Sequence, residues 1–535
     1  MTYRDRLERG IAMDDKYVQR IDRLRQVKQA AVLGGGQARI DKHHDQGKLT
    51  ARERIEYLLD EGTFVEHNLI IGHLEGMPAD GIVAGHGKIH GRPVCVYSQD
   101  PTVKGGSIGP MHGFKMYRCV GWALQMGVPF IGIHESPGAR MPDAASQSKS
   151  VFGDAMEKHG GAIFYPNTQA SGFIPQISAI MGSCAGISVY SPALTDFIFM
   201  VDKQSHMFIT GPNVVQAVTG EKLSKEDLGG AKIHCSVSGV ADGRFADEQE
   251  LLDSIRDMMV YLPQNADEEP PFIDLGDDPE RLTEELTDIV PSDASKAYDV
   301  RRAIECIVDA GEFFEIKPEF APEMVVGLAR LDGRSVGIVA NQPSFLAGSL
   351  TVDSSDKQTR FMRFCDCFNI PIVLLVDTSA YMPGKDQEHL GIIRHGAKVL
   401  YALCESTVPR IGVVMRKAYG GGNLGMGVIP AQTGTDMLFY WPITELGVMG
   451  AKASVQLFFK EFIKNSPDPE QMQAQLIKEY EERYANPMRE AAFNPFINDV
   501  IEPRDTRKVL IQALEFLSTK RRPPRYSKRH GNIPM

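Results

Sequence analysis

Val128-Pro129-Phe130-Ile131-Gly132-Ile133 and Ile370-Pro371-Ile372-Val373-Leu374-Leu375 stand 242 positions apart, 129 to 371, and read as the same apolar strand entered through a proline. The spacing holds outward from them. Asp100-Pro101 followed by Lys104-Gly105-Gly106-Ser107 returns as Gln342-Pro343 followed by Leu346-Ala347-Gly348-Ser349. Ile174-Pro175-Gln176-Ile177 through Met181 returns as Val408-Pro409-Arg410-Ile411 through Met415, now 234 positions on, and Thr195-Asp196-Phe197 returns as Thr435-Asp436-Met437, 240 positions on. One matched proline or glycine is common, since both punctuate loops everywhere. Five matched features in one order mark an internal repeat.

Each copy has the same grammar. A β-branched run (Val94-Cys95-Val96-Tyr97; Val336-Gly337-Ile338-Val339-Ala340) leads to a Gly/Pro loop, then to a helix near 113–126 or 355–368. A buried run follows (130–133; 372–376), and a further helix and run (176–181; 410–415) end on a glycine cluster. Alternating strands and helices predict β-α-β crossovers in an α/β fold. Continuous rather than alternating apolar runs predict strands buried on both faces. The expected domains are 1–265, with a helical preface over 1–60, and 291–535. An acidic, proline-rich linker spans 266–290, following Leu262-Pro263-Gln264-Asn265. In the preface, Thr50-Ala51-Arg52-Glu53 reads as a capping box.

Composition narrows the function. The 535 residues carry 58 basic and 69 acidic side chains, a net charge of −11, which argues against nucleic acid as the main ligand. No 18-residue apolar stretch predicts a membrane span. Met1-Thr2-Tyr3-Arg4-Asp5-Arg6 is not the start of a secretory signal, so a cytosolic location, or a mitochondrial matrix one after processing, is expected. The eight cysteines, mostly within apolar runs, predict reduced core thiols, and Cys365-Asp366-Cys367 lacks the partners of a zinc site; no bound metal is expected. His43-His44-Asp45 is expected to form a solvated turn. The basic Arg521-Arg522-Pro523-Pro524-Arg525 and Lys528-Arg529-His530 are expected to form a solvated tail.

The chemistry is predicted at the glycine clusters, Met181-Gly182-Ser183-Cys184-Ala185-Gly186-Ile187 and Met415-Arg416-Lys417-Ala418-Tyr419-Gly420-Gly421-Gly422. Backbone N–H groups at the start of a helix converge with the positive end of the dipole, which suits an oxyanion formed during reaction. Neither cluster fits a nucleotide-binding P-loop, and no Ser/His/Asp triad motif or H-E-x-x-H is present. Arg140 and Arg416-Lys417 could hold phosphates or a carboxylate, or pair at the surface.

Longer motifs carry a resemblance. Gly47-Lys48-Leu49-Thr50-Ala51-Arg52-Glu53-Arg54, Gly105-Gly106-Ser107-Ile108-Gly109-Pro110-Met111-His112-Gly113, Tyr190-Ser191-Pro192-Ala193-Leu194-Thr195-Asp196 and Met207-Phe208-Ile209-Thr210-Gly211-Pro212 are similar to the carboxyltransferase (β) subunits of biotin-dependent acyl-CoA carboxylases, nearest the propionyl-CoA carboxylase type. So are Gly337-Ile338-Val339-Ala340-Asn341-Gln342-Pro343, Cys365-Asp366-Cys367-Phe368-Asn369-Ile370-Pro371, Pro383-Gly384-Lys385-Asp386-Gln387-Glu388 and the ending His530-Gly531-Asn532-Ile533-Pro534-Met535. The resemblance implies a tandem duplication of a crotonase-like (ClpP/crotonase) β-β-α superhelical domain. It implies transfer of a carboxyl group from carboxybiotin to the α-carbon of a coenzyme A thioester such as propionyl-CoA.

By position, it implies that the segment Gly182 to Ile187, with Gly186, holds the thioester enolate, and that Gly420 and Gly421 hold the ureido oxygen of biotin. Gly105, Gly106, Gly138, Ala139, Arg140 and Ala185 become candidate acyl-CoA contacts, and Tyr381, Tyr419, Gly422, Asn423 and Leu424 candidate biotin contacts. It further implies a homo-oligomer, commonly a hexamer, with sites between subunits. Biotin would arrive on a biotin carboxylase/biotin carrier partner, since no biotin-attachment Met-Lys-Met is present. Four stretches depart from the family pattern: Ile187, Asp377-Thr378-Ser379-Ala380-Tyr381, Gly422-Asn423 and Leu424. All lie beside the expected site and leave the acyl substrate open. Related biotin-dependent decarboxylase α subunits (glutaconyl-CoA or methylmalonyl-CoA type) and transcarboxylase subunits share the motifs, so the direction of reaction stays open too; a non-catalytic scaffold is the minor alternative.

Overall fold

A computed structural model describes residues 15–140, 164–484, 486–520 and 533–534. Met1 to Arg6 and the basic segment 521–530 lie outside the described residues. Two compact units emerge: Met1–Ile233 with Arg244–Arg256, and His234–Gly243 with Asp257–Met535. Each is built on its own eight-stranded sheet.

In the first unit, strands Ile82–Ile89 and Arg92–Gln99 form an antiparallel hairpin. The parallel strands Phe130–Ser136, Gln176–Ala185 and Phe197–Val201 then extend the sheet. The second unit repeats this with the hairpin Met324–Leu331/Arg334–Asn341 and the parallel strands Ile372–Thr378, Arg410–Tyr419 and Met437–Tyr440. The first crossover helices, Pro110–Met126 and Val352–Cys367, keep the 242-residue offset at their starts. The parallel reading omitted the leading hairpins. Their turns, His90-Gly91 and Asp332-Gly333, put two consecutive residues in the left-handed region (φ 52° and 75°; 50° and 73°). That is the two-residue turn that matches strand twist, and Asp-Gly was its visible signal.

The central strands are buried along their whole length. Every residue of Phe130–Ser136, Ile372–Thr378 and Arg410–Tyr419 is inside, as continuous apolar runs on a two-sided sheet require. Tyr97, Met116, Val120 and Phe130 lie in the core of the first unit. Val336, Ile338, Val373, Val413 and Trp441 lie in that of the second. Thr50 caps its helix through the expected reciprocal bonds with Glu53. Cys95, Cys119, Cys184, Cys235 and Cys365 are buried. Among the described residues no helix is long and apolar enough to cross a membrane.

The duplication reaches individual charges. Lys115 and Lys357 occupy equivalent positions on the two crossover helices, and both are buried. Lys115 Nζ donates to the Ile82 carbonyl, and Lys357 Nζ to those of Lys317 (2.8 Å) and Phe320 (2.7 Å). Burial disfavours the charged amines, pulling Lys115 down to about 8 and Lys357 to about 7.

Candidate functional site

In the first unit the strand Gln176–Ala185 ends at Gly186, whose φ of 59° and ψ of −125° suit glycine. The Gly186 N–H donates back to the carbonyls of Phe208 (3.2 Å) and Ile209 (3.1 Å). It therefore shapes the turn rather than facing a ligand. The helix Ile187–Ala193 starts next, so the Ile187 N–H has no carbonyl behind it within the helix.

A second loop meets this turn. After the strand Phe130–Ser136, Gly138 adopts φ 99°. A β-carbon there would stand 2.7 Å from the Ala185 carbonyl oxygen, so only glycine lets the loops touch. Ile108 N–H donates to Gly138 O (2.8 Å) and Arg140 N–H to Ile108 O (2.9 Å), which turns the intervening Ala139 N–H away from Ile108. Ser188 Oγ ties the two loops, accepting from Ala185 N–H (2.8 Å) and donating to Ser136 O (2.9 Å). The N–H groups of Ile187 and Ala139 are thus the pair this architecture leaves for an oxyanion. Gly105, Ser136, Pro137, Ser183 and Ala185 line a cavity of about 780 Å³.

Gly182 is buried within the strand, and a β-carbon there would lie 2.5 Å from the side chain of Glu135. Gly106, at φ 72°, presses on the Glu135 carbonyl. Arg140 is paired with Asp80 (2.5 Å) and donates to Ser107 O (2.9 Å), so its guanidinium is held by the protein itself.

The second unit repeats the turn. Gly420 has φ 51°, and a β-carbon there would meet Val448 O at 2.9 Å. Gly420 and Gly421 open the short helix Gly420–Gly425, so their N–H groups belong to its unbonded first turn. The facing loop is also repeated: Leu350 N–H donates to Ala380 O (2.9 Å) and Met382 N–H to Leu350 O (2.7 Å), which puts Tyr381 where Ala139 stands in the first unit. The Tyr381 ring is the floor of this turn, 3.2 Å from where a Gly421 β-carbon would be, and Gly422 abuts Thr378 and Ala380. Tyr419 hydroxyl donates to Glu445. Asn423 and Leu424 are half-buried on the helix.

Charges that sequence reasoning left at the surface are inside. Arg416 is fully buried and pairs with Asp377 (2.9 Å), while its second arm donates to the carbonyls of Asp293 and Lys296. It is neither a surface cation nor a free phosphate clamp. Lys417 lies 3.7 Å from the same carboxylate. His43, expected in a solvated turn, is buried and sits 3.9 Å from Glu135. Glu135 is bound by Lys48 (2.6 Å) and Arg54 (2.8 Å), and Arg54 also binds Glu248 (2.6 Å). Burial pushes the Glu135 carboxyl up, but Arg54 and Lys48 outweigh it and hold the group below its usual range. Ser183, His206, Lys225 and Glu226 were not singled out either. They come from separate segments, and no local spacing announces them. Among the described residues no group of three or more His, Cys, Asp or Glu is placed to hold a metal.

Comparison with known proteins agrees with this architecture. The carboxyl transferase domain family matches residues 42–533. A propionyl-CoA carboxylase carboxyltransferase subunit from Haloferax mediterranei is 48% identical over 96% of this chain and 99% of its own length. A methylmalonyl-CoA decarboxylase α subunit from Veillonella parvula is 46% identical over 94% of this chain and 96% of its own. Among solved structures, the transcarboxylase 12S subunit, described as a hexamer with methylmalonyl-coenzyme A bound, superposes with a TM-score of 0.90 at 44% identity. That match covers 96% of this chain and 98% of the other.

Proposed function

This chain belongs to the carboxyl transferase family, and from that premise we propose that it moves a carboxyl group between biotin and the α-carbon of a short-chain acyl-CoA, propionyl-CoA first. The observation that carries this reading is the repeated turn: in each unit the equivalent strand ends in the open first turn of a helix, at Ile187 with Ala139 on the facing loop and at Gly420 and Gly421 with Tyr381 on the facing loop. Carboxyl transfer to a thioester develops negative charge on two separate oxygens, and two amide cradles answer that need.

In the first unit the thioester oxygen would rest on the Ile187 and Ala139 N–H groups. Donors fixed there before reaction stabilise an enolate without reorganising, and losing one typically costs about 3–4 kcal/mol of barrier. The 780 Å³ cavity beside them is large enough for the arm of a CoA ester. In the second unit the N–H groups of Gly420 and Gly421 would hold the ureido oxygen of biotin, and Tyr381, packed beneath them, keeps the turn rigid. Biotin, carried by a separate carboxylase/carrier protein, would supply the activated carboxyl group. The chain's own work is orientation, charge stabilisation and exclusion of water. We further infer that the functional halves are 1–265 and 291–535, and that the two kinds of cradle work together across copies in a homo-oligomer such as a hexamer.

The same cradles serve either direction. The likeness to a methylmalonyl-CoA decarboxylase α subunit at 46% identity supports decarboxylation or transcarboxylation as the second reading. A panel of acyl-CoA and malonyl-type CoA esters, assayed with a purified biotin carrier, tests both. Biotin-dependent carboxylation of propionyl-CoA is expected. Absence of exchange in both directions with every ester would refute the function.

A further inference from the structure

One cation on the wall of the first unit's cavity has no part in the chemistry above. Lys225 heads the helix Lys225–Gly229, and its Nζ reaches Ser183 Oγ at 3.3 Å. Ser183 Oγ in turn lies 3.1 Å from His206 Nδ1, and His206 Nε2 lies 2.7 Å from Glu226 Oε1. Ser183 and Lys225 line the same cavity as Ala185 and Pro137. Glu226 faces the imidazole, and Asp227 accepts from Ser224 Oγ at 2.6 Å. Among the described residues no carboxylate lies within ion-pair distance of the Lys225 ammonium. The neighbouring cavity lysine, Lys48, is already matched by Glu135.

The bonding order assigns the roles. The Glu226 carboxylate 2.7 Å from Nε2 favours the imidazole proton there by its charge, though not through an aligned hydrogen bond, and leaves Nδ1 to accept from the Ser183 hydroxyl. Ser183 Oγ can then accept from Lys225. The serine and histidine fix the ammonium at the wall, and its other two protons stay available to a ligand. We propose that Lys225, positioned by Ser183 and His206, reads the carboxylate borne by the acyl group of a CoA ester. The subsite rests on the carboxyl-transfer reading and narrows its substrate class: esters that already carry the carboxyl group are held here in addition to the oxyanion contacts.

A Ser-His-Glu chain also suggests a nucleophile, and distance decides against it. Ser183 and Ala185 are two strand residues apart, about 7 Å at ~3.3 Å per residue, and Ile187 lies beyond. A nucleophile must stand about 3 Å from the carbon it attacks. A hydroxyl set this far back misses a thioester whose oxygen rests on Ile187; the group offered to the carboxylate, two bonds from the thioester carbon, is the Lys225 ammonium that the hydroxyl holds at 3.3 Å. The phosphates of coenzyme A are the other anions that could meet Lys225, and they are common to every CoA ester, so a difference between esters separates the two sources.

The test is calorimetric binding of propionyl-CoA, methylmalonyl-CoA and free coenzyme A to the intact oligomer, comparing wild type with Lys225→Met, Lys225→Arg and Ser183→Ala. Lys225 is exposed on a short helix, so its replacement leaves folding intact. Lys225→Met should weaken methylmalonyl-CoA about tenfold and propionyl-CoA less than about twofold, as for one charge-assisted contact. Lys225→Arg should restore most of the loss, and Ser183→Ala should show the same preference at about threefold. Equal weakening of all three ligands would assign Lys225 to the coenzyme phosphates and overturn the proposal, as would unchanged binding of methylmalonyl-CoA. If wild type binds no CoA ester at all, the carboxyl-transfer reading falls and the subsite falls with it.

Discussion

Gly182-Ser183-Cys184-Ala185 and Arg416-Lys417-Ala418-Tyr419 end equivalent strands in the two units, and they do opposite things with the same scaffold. In the first unit small residues leave a cavity open beside the amide turn. In the second, large ones take the equivalent positions: Arg416 and Lys417 reach Asp377, and Tyr419 reaches Glu445. Both units keep an acid at the end of the preceding strand, Glu135 and Asp377. Both anchor its N–H with an amide oxygen, from Gln99 (3.0 Å) and Asn341 (3.2 Å) respectively. The counter-ions differ. Asp377 is neutralised from within its own sheet by Arg416, whereas Glu135 is neutralised by Lys48 and Arg54 from the N-terminal helical segment. Gly182 stands where Arg416 stands in the second unit, so in the first the cation that meets the acid has to come from another segment.

Breaking that internal pair should give the largest effect. Arg416→Ala leaves a fully buried carboxylate without its main partner, a loss of about 3–5 kcal/mol. Chemical denaturation should register it, and adding Asp377→Ala should recover much of it. A double variant no better than the single would show that Arg416 acts through packing rather than through the pair.

The glycine turns come next. Valine at Gly186 or Gly420 forces a left-handed backbone on a β-branched residue, and at Gly420 it also strikes Val448 O. Either should cut carboxyl transfer by about 10²–10³, the scale of one lost oxyanion donor. The comparison predicts a split. Gly186→Val should weaken CoA ester binding as well, while Gly420→Val should leave that affinity within about twofold and remove the biotin-dependent step. Full turnover in Gly420→Val would deny the second unit its cradle.

Gly182→Ala tests why the first strand is small. The new methyl would displace the Glu135 side chain from Lys48 and Arg54, with an overpacking cost of about 1–3 kcal/mol. A melting temperature equal to wild type would show that the glycine is not holding that space.

The two acids should also answer pH with opposite signs. Glu135 titrates below its ordinary value of 4.5, so its contribution to stability is complete above that pH and is lost as pH falls. Burial raises Asp377 above its ordinary 3.8 despite Lys417 and Arg416, so the folded state favours its protonated form, and that advantage is lost as pH rises. Melting temperature against pH should therefore have a shallower acid limb in Glu135→Gln and a steeper one in Asp377→Asn. Parallel changes in both would mean that the acids are not differently compensated.

Much of this was legible in the chain, for a physical reason. Prolines and glycines mark strand entries and turns where backbone geometry allows little else, so the repeat at Pro129/Pro371 and the turns at Gly186 and Gly420 survive as spelling. Helix starts were off by about three residues, 113 and 355 against 110 and 352, because the first turn of a helix carries no periodicity. The long-range ion pairs and side-chain hydrogen bonds were not legible. Arg54 meets Glu248 across 194 positions, and Lys225 meets Ser183 across 42. A charge reads as exposed until a folded partner is seen. Asp377 stood at the repeat offset from Glu135 all along, but acids vary in loops too freely for one match to count.

Leu424 carries the smallest prediction. It is half-buried on the short helix after Gly421, at the place Tyr190 occupies in the first unit. If acyl selection is confined to the open cavity and Lys225, Leu424→Asp should leave the ranking of acyl-CoA substrates unchanged. The position beside the cradle argues instead for a modest shift. A carboxylate there would repel esters that carry their own, changing the propionyl- to methylmalonyl-CoA preference in kcat/KM by up to about tenfold, or 1.4 kcal/mol. Folding should be little affected, since a half-exposed helix position loses only part of a leucine's burial. An unchanged ranking would confine substrate reading to the first unit and make the contrast between the two strand ends complete.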